Sequence, residues 1–501
     1  MFKHRFKSII LMCICMCLML PLLVSAQAVS PSSADVRVMT FNVWLGGDLV
    51  NFSKVIETIQ AAKADIVALQ EPNGNTRRIA DLLGWPYASD RTHIISRYPL
   101  IDLPEANGKY IYVQIAPGQV IAVANVHLTS DPYGPDAVAG DSTLEEVLTL
   151  ETDTRMPDLE PVLTGLAELV ASDVPVFLLG DFNTPSHLDW TEATINARPQ
   201  MRYAVAWPVT TAVEEAGFVD TFRAVYPDPE ANPGITWSYG HPYPYLNPKD
   251  ALDRIDLVFV ANADEILNSE IVGDTGTPNV DIGIMPYPSD HRTVVSTVRV
   301  TPVILPPFVA VDQRLLNQGE SLVARYHTPV GEGTDFLAVV SAGHGIKDAI
   351  MSLPPYEGIF FGSVLFGTST LEAASYDVLL MTEDNVEVSR SPFWITTPDL
   401  HPTVITNQST YEAGKAITVT WENAPAMKGD WLAIYPRDAV DLYNDYIAYI
   451  YTEAAVNGSV IFDASVIGED MLPAGDYVVN LLKDDGYELL ASASFSVTAA
   501  P

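Results

Sequence analysis

"PVFLLGDFNTPSHLDW" spans Pro175 to Trp190. Val176-Phe177-Leu178-Leu179 is short, wholly apolar and closed by Gly180, the pattern of a strand buried on both faces. The run ends on the carboxyl of Asp181, with the carboxamide of Asn183 two residues later. A charge at the end of a core strand is costly unless it has a partner or a task. The reading expects Asp181 to be ionised because it is exposed at a sheet edge, where it can do proton chemistry.

Working outward, other apolar runs end the same way. Asn42 follows Val38-Met39-Thr40-Phe41, and Glu71 follows Ile66-Val67-Ala68-Leu69-Gln70. His127 closes Val120 to Val126, Asp256 sits within Arg254-Ile255-Asp256-Leu257-Val258-Phe259, and Asp290-His291 precedes Thr293-Val294-Val295. One such residue is an ordinary turn or cap. A set spread over five or six strands brings oxygen and imidazole groups to one edge if the strands lie side by side, and rigid strands fix such groups well. Phe52, Val55, Ile56 and Ile59 have helical spacing between two of these strands. Alternation of this kind from Asp35 to about Val300 implies sheets covered by helices.

The residue types fit phosphoester hydrolysis. That reaction needs a metal to neutralise phosphate oxygens, a base for water, and donors for the developing charge. Asp, Glu and Asn oxygens suit Mg²⁺, Mn²⁺ or Ca²⁺, and no Cys or His pair has zinc spacing. Glu71 can hold the metal, Asp181 can take a proton from water, and Asn183 can orient it. His127 and His291 can donate to phosphate oxygens, with Asp256 as the partner that orients and charges His291.

In order along the chain, "TFNVW" (Asn42), "ALQEP" (Glu71), "HIISRYPL" (His93–Leu100), "NVHL" (His127), "LLGDFNTP" (Asp181, Asn183), "ITWS" (Ile235–Ser238), "RIDLVF" (Asp256) and "SDHRTVV" (Asp290-His291) resemble the signature of the endonuclease/exonuclease/phosphatase superfamily, the DNase I-like fold. The resemblance covers roughly residues 35 to 300. It implies a four-layer α/β sandwich, two central β-sheets flanked by helices. It implies a divalent metal held chiefly by Glu71 with Asn42 and Asp290 nearby, in-line attack by water with Asp181 as base and Asn183 orienting it, and phosphate contacts from His127 and the Asp256–His291 pair. Abasic-site nucleases of the superfamily tend to carry an acidic residue two places after the first Asn. Here that place is Trp44, which weighs against abasic-DNA repair.

The chain has 501 residues and a formal net charge of −36. Its first 28 residues begin with Lys3, Arg5 and Lys7, continue through a largely apolar Ser8 to Val24, and end on Ala26-Gln27-Ala28. They read as a secretory signal peptide cleaved after Ala28, so the expected location is extracytoplasmic, with no membrane span in the mature chain. Cleavage would remove Cys13, Cys15 and Cys17, the only cysteines, and leave 24 Lys and Arg against 63 Asp and Glu, a net charge of −39. Such a chain repels polyanions at long range, so nucleic acid is a disfavoured partner although a local metal site would allow it.

Thr301-Pro302 and Pro306-Pro307 read as a linker. Beyond it "DFLAVV" at Asp335 matches "DWLAIY" at Asp430, and "LEAASY" (Leu371–Tyr376) matches "LPAGDY" (Leu472–Tyr477). The offsets predict two tandem antiparallel β-sandwich modules, 306–398 and 402–498, after a catalytic domain of 35–300. Their matching aromatics Tyr326, Phe336, Trp421 and Trp431 read as core, with cell-surface or glycan contact as the functional alternative.

The acidic, proline-containing stretch after His127 reads as a surface loop with a short helix, from which Arg155 can reach a substrate phosphate. "HPYPYLNP" (His241–Pro248) offers Tyr243 and Tyr245 as substrate-stacking rings. Three functions follow: a secreted metal-dependent phosphodiesterase or phosphatase acting on a nucleotide, a phospholipid head group or a small phosphate ester; a secreted nuclease on the same site; and a surface-binding protein with an inactive first domain.

Overall fold

The computed structural model describes residues 32–195, 198, 201–237, 252–276, 279–328, 334–354, 360–468 and 471–499. The expected signal peptide and Tyr243 and Tyr245 lie outside the described residues.

Period-two alternation in the apolar runs builds two stacked sheets. Along Val176–Asp181, Phe177 and Leu179 pack with Val36, Val38, Ile66 and Ala68 of the other sheet. Val176 and Leu178 turn the other way, against Leu159, Leu166 and Leu169 of a helix. On the far side Met39, Phe41, Val67 and Leu69 pack under Val55 and Ile59 of the Phe52–Ala62 helix and Ile79 of the Thr76–Leu83 helix. The layers are therefore helix, sheet, sheet, helix, the four-layer DNase I-like sandwich, with one apolar core between the sheets and one under the helices on each side.

The first sheet runs in the order Ile282–Ile284, Glu265–Asp274, Thr293–Val300, Ala34–Asn42, Ile66–Gln70, Ile94–Ser96, Tyr87–Ser89. The second runs Leu100–Ile101, Ile111–Ala116, Gln119–His127, Val176–Asp181, Asp256–Ala261, Val219–Asp220. Val303–Ile304, within the stretch that reads as a linker, adds a short strand to it beside Val120. In the second sheet the register sets His127 beside Asp181 and Asp181 beside Asp256. In the first it sets Asn42 beside Gln70.

The stretch after His127 corrects the loop expectation. It holds the Gly134–Ala139 helix and then a 28-residue helix, Leu144–Ala171. Thr143 and Glu146 form a reciprocal capping box at its start. Pro157 and Pro161 lie inside it, each costing about 3 kcal/mol in a helix interior. Burial of Leu159, Leu166 and Leu169, roughly 1.5–3 kcal/mol apiece, offsets that cost. Among the described residues no helix is long and apolar enough to cross a membrane.

Two all-β units follow with one topology. Each pairs a three-stranded sheet with a five-stranded one: Phe308–Val311, Ser321–His327, Phe361–Gly367 facing Leu315–Asn317, Glu387–Thr396, Ala374–Met381, Phe336–Ser341, Met351–Leu353 in the first. The second repeats that order from Thr403–Thr406 to Leu489–Thr498. Tyr326, Trp421 and Trp431 are buried, as core aromatics should be. The second unit is docked on the α/β sandwich. Lys428 N–H donates to the Asp90 carbonyl at 2.9 Å, Arg91 Nη1 to the Ala454 carbonyl at 2.8 Å, and His93 Nε2 meets Asp484 Oδ1 at 2.5 Å.

Candidate active site

The face that fills the space between the sheets also supplies the polar groups, because each strand keeps its alternation to its end. Phe177 and Leu179 place Asp181 on that face, Val258 and Val260 place Asp256, and Val123 with Asn125 places His127. Val36, Val38 and Thr40 do the same for Asn42. The strand of Asp181 lies tight against its neighbour. A Cβ on Gly180, whose φ is +154°, would sit 2.0 Å from the Val126 carbonyl oxygen.

Asn42 Nδ2 donates to Glu71 Oε1 and to Asp181 Oδ2, each at 3.0 Å, so one amide ties the two sheets together. Its own Oδ1 accepts from Trp44 N–H at 3.0 Å, and Glu71 Oε2 accepts from Leu45 N–H at 2.8 Å. His127 Nε2 lies 3.7 Å from Asp181 Oδ2 and 3.9 Å from Glu71 Oε1. His291 Nδ1 lies 3.0 Å from Asp256 Oδ2 and 3.6 Å from Asp181 Oδ2. Ser289 Oγ donates to the Asn42 carbonyl and accepts from His291 N–H, which locks the Asp290-His291 turn onto the first sheet.

The family model of the endonuclease/exonuclease/phosphatase family matches residues 39–291, from the first of these strands to His291. The chain belongs to that family. An uncharacterised protein of Caenorhabditis elegans is 35% identical over 252 residues, covering 46% of this chain and 79% of the relative. Among solved structures, an endonuclease/exonuclease/phosphatase from Beutenbergia cavernae is similar at 17% identity and a TM-score of 0.34, over 72% of this chain and 99% of that one. An AP endonuclease from Archaeoglobus fulgidus gives 17% and 0.34, over 52% and 98%. Likeness at that level says nothing of substrate.

Endonuclease/exonuclease/phosphatase proteins generally use divalent metals. The donor set here fits one. The carboxylates of Glu71, Asp181, Asp256 and Asp290 converge, and among the described residues no Lys or Arg pairs with Glu71 or Asp181; the basic groups within 4 Å of them are the rings of His127 and His291. Burial pushes the Asp290 carboxyl up to about 6, helped by the negative charges of Glu71 and Asp181 and opposed by His291. Such crowding of acids with little compensation is what a divalent cation relieves. Asp181, Asp256 and His291 also offer ligand atoms within 4.8 Å of one another. That gap is better filled by a proton: 3.0 Å is hydrogen-bond distance from His291 Nδ1 to Asp256, and Asp256 is fully buried. Burial by itself would lower the His291 pKa, but Asp256 and Asp181 together raise it well above the ordinary histidine value.

Several expectations meet a different arrangement. Asp181 is not exposed at a sheet edge; only 1% of it is accessible. Its partners, Asn42 Nδ2 and Asn183 N–H, replace the water that exposure would have supplied. Asn183 orients Asp181 through its backbone N–H at 2.9 Å, while its side-chain amide donates to the Leu128 carbonyl. Arg155 does not reach toward a phosphate. It is fully buried, its Nη1 paired with Glu151 at 2.8 Å and its Nη2 on the Ser130 carbonyl at 2.5 Å, because its helix faces the core at that position.

The sequence reading passed over Gln70 and Asn125. Gln70 Nε2 donates to Asn125 Oδ1 at 2.7 Å, and Asn125 Nδ2 to the Leu69 and Thr92 carbonyls, forming a buried amide floor that joins the sheets beneath Glu71 and His127. A signal existed: each is a lone amide on the inward face of an otherwise apolar run.

Proposed function

We propose that this chain is an exported, divalent-metal-dependent phosphoesterase that hydrolyses a phosphate ester by attack of activated water. The observation that carries the reading is the convergence of Asn42, Glu71, His127, Asp181, Asp256 and His291 at the ends of two sheets, each within 3.0 to 3.9 Å of at least one other of the set. Export rests on the basic-then-apolar N-terminus.

Glu71 would hold the cation, with Asp290 and Asn42 beside it, and Mg²⁺, Mn²⁺ or Ca²⁺ suits an oxygen set of this kind. When bound, it would neutralise phosphate oxygens. Asp181 takes the proton of the attacking water through a carboxylate that Asn42 and Asn183 hold still. His291, kept protonated by Asp256, donates to a phosphate oxygen as charge builds there, and the partly open His127 does the same from the other side.

A substrate panel with added Mg²⁺, Mn²⁺ or Ca²⁺ tests this: a generic diester, a generic monoester, DNA, RNA, sphingomyelin and a phosphoinositide. Hydrolysis of at least one ester, abolished by chelation and by Asp181→Asn, is expected. Failure on every ester would overturn the reading. Cleavage of DNA or RNA alone would favour a nuclease, against which the net charge of −36 weighs.

A further inference from the structure

Glu71 stands on backbone that has to be held in place. Its φ is +53°, Asn73 and Gly74 follow at +47° and +80°, and Trp44 and Leu45 of the facing loop lie at +58° and +46°. Residues other than glycine enter this left-handed region at a cost, and a run of them persists only where surrounding contacts over-determine it. The two loops brace each other. Gly46 N–H donates to the Glu71 carbonyl at 2.8 Å, Leu45 N–H to Glu71 Oε2 at 2.8 Å, and Asn75 Nδ2 to the Gly46 carbonyl at 2.9 Å.

The next brace comes from the second β-sandwich, through bonds that have no role so far. Asp484, on the turn closed by Lys483 and Glu488, has 1% of its surface accessible. Its Oδ2 accepts from Gly74 N–H, and its Oδ1 meets His93 Nε2 at 2.5 Å. His93 is also left-handed, at φ +51°, and its carbonyl accepts from Leu69 N–H at 2.9 Å, two residues before Glu71. One carboxylate thus ties the loop that leaves Glu71 to the segment bonded to the strand that leads into it. The fit is close: a Cβ on Gly74 would lie 3.2 Å from Lys483 Cε. Asp484 is itself fixed, its N–H donating to Asp430 Oδ1 at 3.2 Å and its Oδ1 accepting from Gly429 N–H at 3.3 Å. Beside it Lys428 N–H donates to the Asp90 carbonyl at 2.9 Å, and Lys428 Nζ donates to the Asn125 carbonyl, two residues before His127.

The tandem repeat supplies an internal control. The offset of 101 residues puts Glu383 of the first module where the second has Asp484, and Glu383 is exposed. The offset of 95 puts Gly333 at the place of Lys428. The first module grips the α/β sandwich elsewhere. A Cβ on Gly118 would lie 2.0 Å from Phe361 Cζ, just before the strand Gln119–His127 begins. Two modules of one topology therefore hold opposite ends of that strand, and the buried acid and the lysine stand at the catalytic end.

We propose that Asp484 and Lys428 are positioning residues of the catalytic centre: the docked second module holds the Glu71 loop and the strand of His127 in the geometry that binds the divalent cation. Of the phosphoesterase reading, this rests on the cation at Glu71 only. Coupling of this kind is reciprocal, so the cation must tighten docking by the factor by which docking tightens the cation.

The test uses the full chain and Mn²⁺ alone, with affinity read by electron paramagnetic resonance rather than by turnover. Asp484→Ala and Lys428→Met should each weaken Mn²⁺ binding about tenfold or more, the usual effect of losing a group that supports a metal ligand. Glu383→Ala, the matching change in the first module, should leave it unaltered. A cooperative melt checks that each variant is folded, and Lys428→Met leaves the bonds of Asp484 in place, so it carries the test if Asp484→Ala does not fold. In the parent chain Mn²⁺ should slow limited proteolysis near residues 397–402. Parent-like Mn²⁺ affinity in the folded variants would overturn this inference and leave any measured ester hydrolysis standing; a parent chain that binds no Mn²⁺ would overturn it too. Mn²⁺ binding that depends on Asp484 and Lys428, in a chain that hydrolyses no ester, would uphold it and overturn the phosphoesterase.

Discussion

Asp181 and Asp256 face each other in register across antiparallel strands, and both present a carboxylate oxygen to one nitrogen, His291 Nδ1, at 3.6 and 3.0 Å. One imidazole therefore answers two buried acids, and their roles divide by environment. Asp256 is held wholly inside and serves the histidine, whereas Asp181 is also held by Asn42 and Asn183 and lies nearer His127.

Asp181→Asn keeps the shape of the side chain and removes its basicity. Steady-state kinetics should show kcat lowered about 10²–10⁴-fold, the usual worth of a general base, with the melting temperature little changed. Retention of full kcat would remove Asp181 from the reaction.

Asp256→Asn removes the nearest charge that keeps His291 protonated. The folded-state pKa of His291 is raised, so the imidazolium form persists to well above the ordinary histidine range, and the alkaline limb of activity should lie there. In the variant that limb should move to lower pH while the acid limb stays. A pH–rate profile whose alkaline limb does not move would mean His291 acts without its charge.

Glu71→Gln should weaken divalent-metal binding by about 10–100-fold or more, comparable with losing an outer-shell partner at least. Titration with Mn²⁺ followed by electron paramagnetic resonance reads this directly, apart from any turnover. Equal Mn²⁺ affinity in the variant would move the cation to other residues.

Arg155→Met tests the correction to the sequence reading. Breaking a buried ion pair by removing one partner costs about 3–5 kcal/mol. The loss here should be blunted near neutral pH, since burial pushes Glu151 up to about 7 and lets it take a proton. The expected outcome is a lower melting temperature at pH 8 than at pH 6, relative to the parent chain, with KM unaltered. A large rise in KM would restore a substrate role.

The His93–Asp484 contact should make docking of the second module acid-sensitive. Burial works against the Asp484 carboxylate, but His93 and the N–H groups of Gly74 and Gly429 together lower its pKa below the usual value of 3.8. A depressed folded-state pKa means this contribution is complete above about pH 4 and is lost as pH falls through the folded value. Limited proteolysis near residues 397–402 should therefore quicken below pH 4, and Asp484→Ala should show that cleavage at neutral pH. Equal resistance in the variant would show that other contacts hold the module.

Much of the site was legible in the chain itself. Lone acids, amides and a histidine ending short apolar runs marked Asn42, Glu71, His127, Asp181, Asp256 and Asp290-His291, and the 95- and 101-residue offsets marked the repeated modules. Period two is a local property, so it also fixed that Asp181, Asp256 and His127 would point to the face their apolar neighbours bury. Partnership is not local. That Asp181 would be buried rather than open, that Arg155 would be spent on Glu151, and that Asp484 would come to rest on His93 and on Gly74, three residues past Glu71, depended on which elements lie opposite each other. Side-chain direction is set by the strand a residue belongs to, while the charge or ring it meets arrives from a segment up to 410 residues away, and only packing brings the two together.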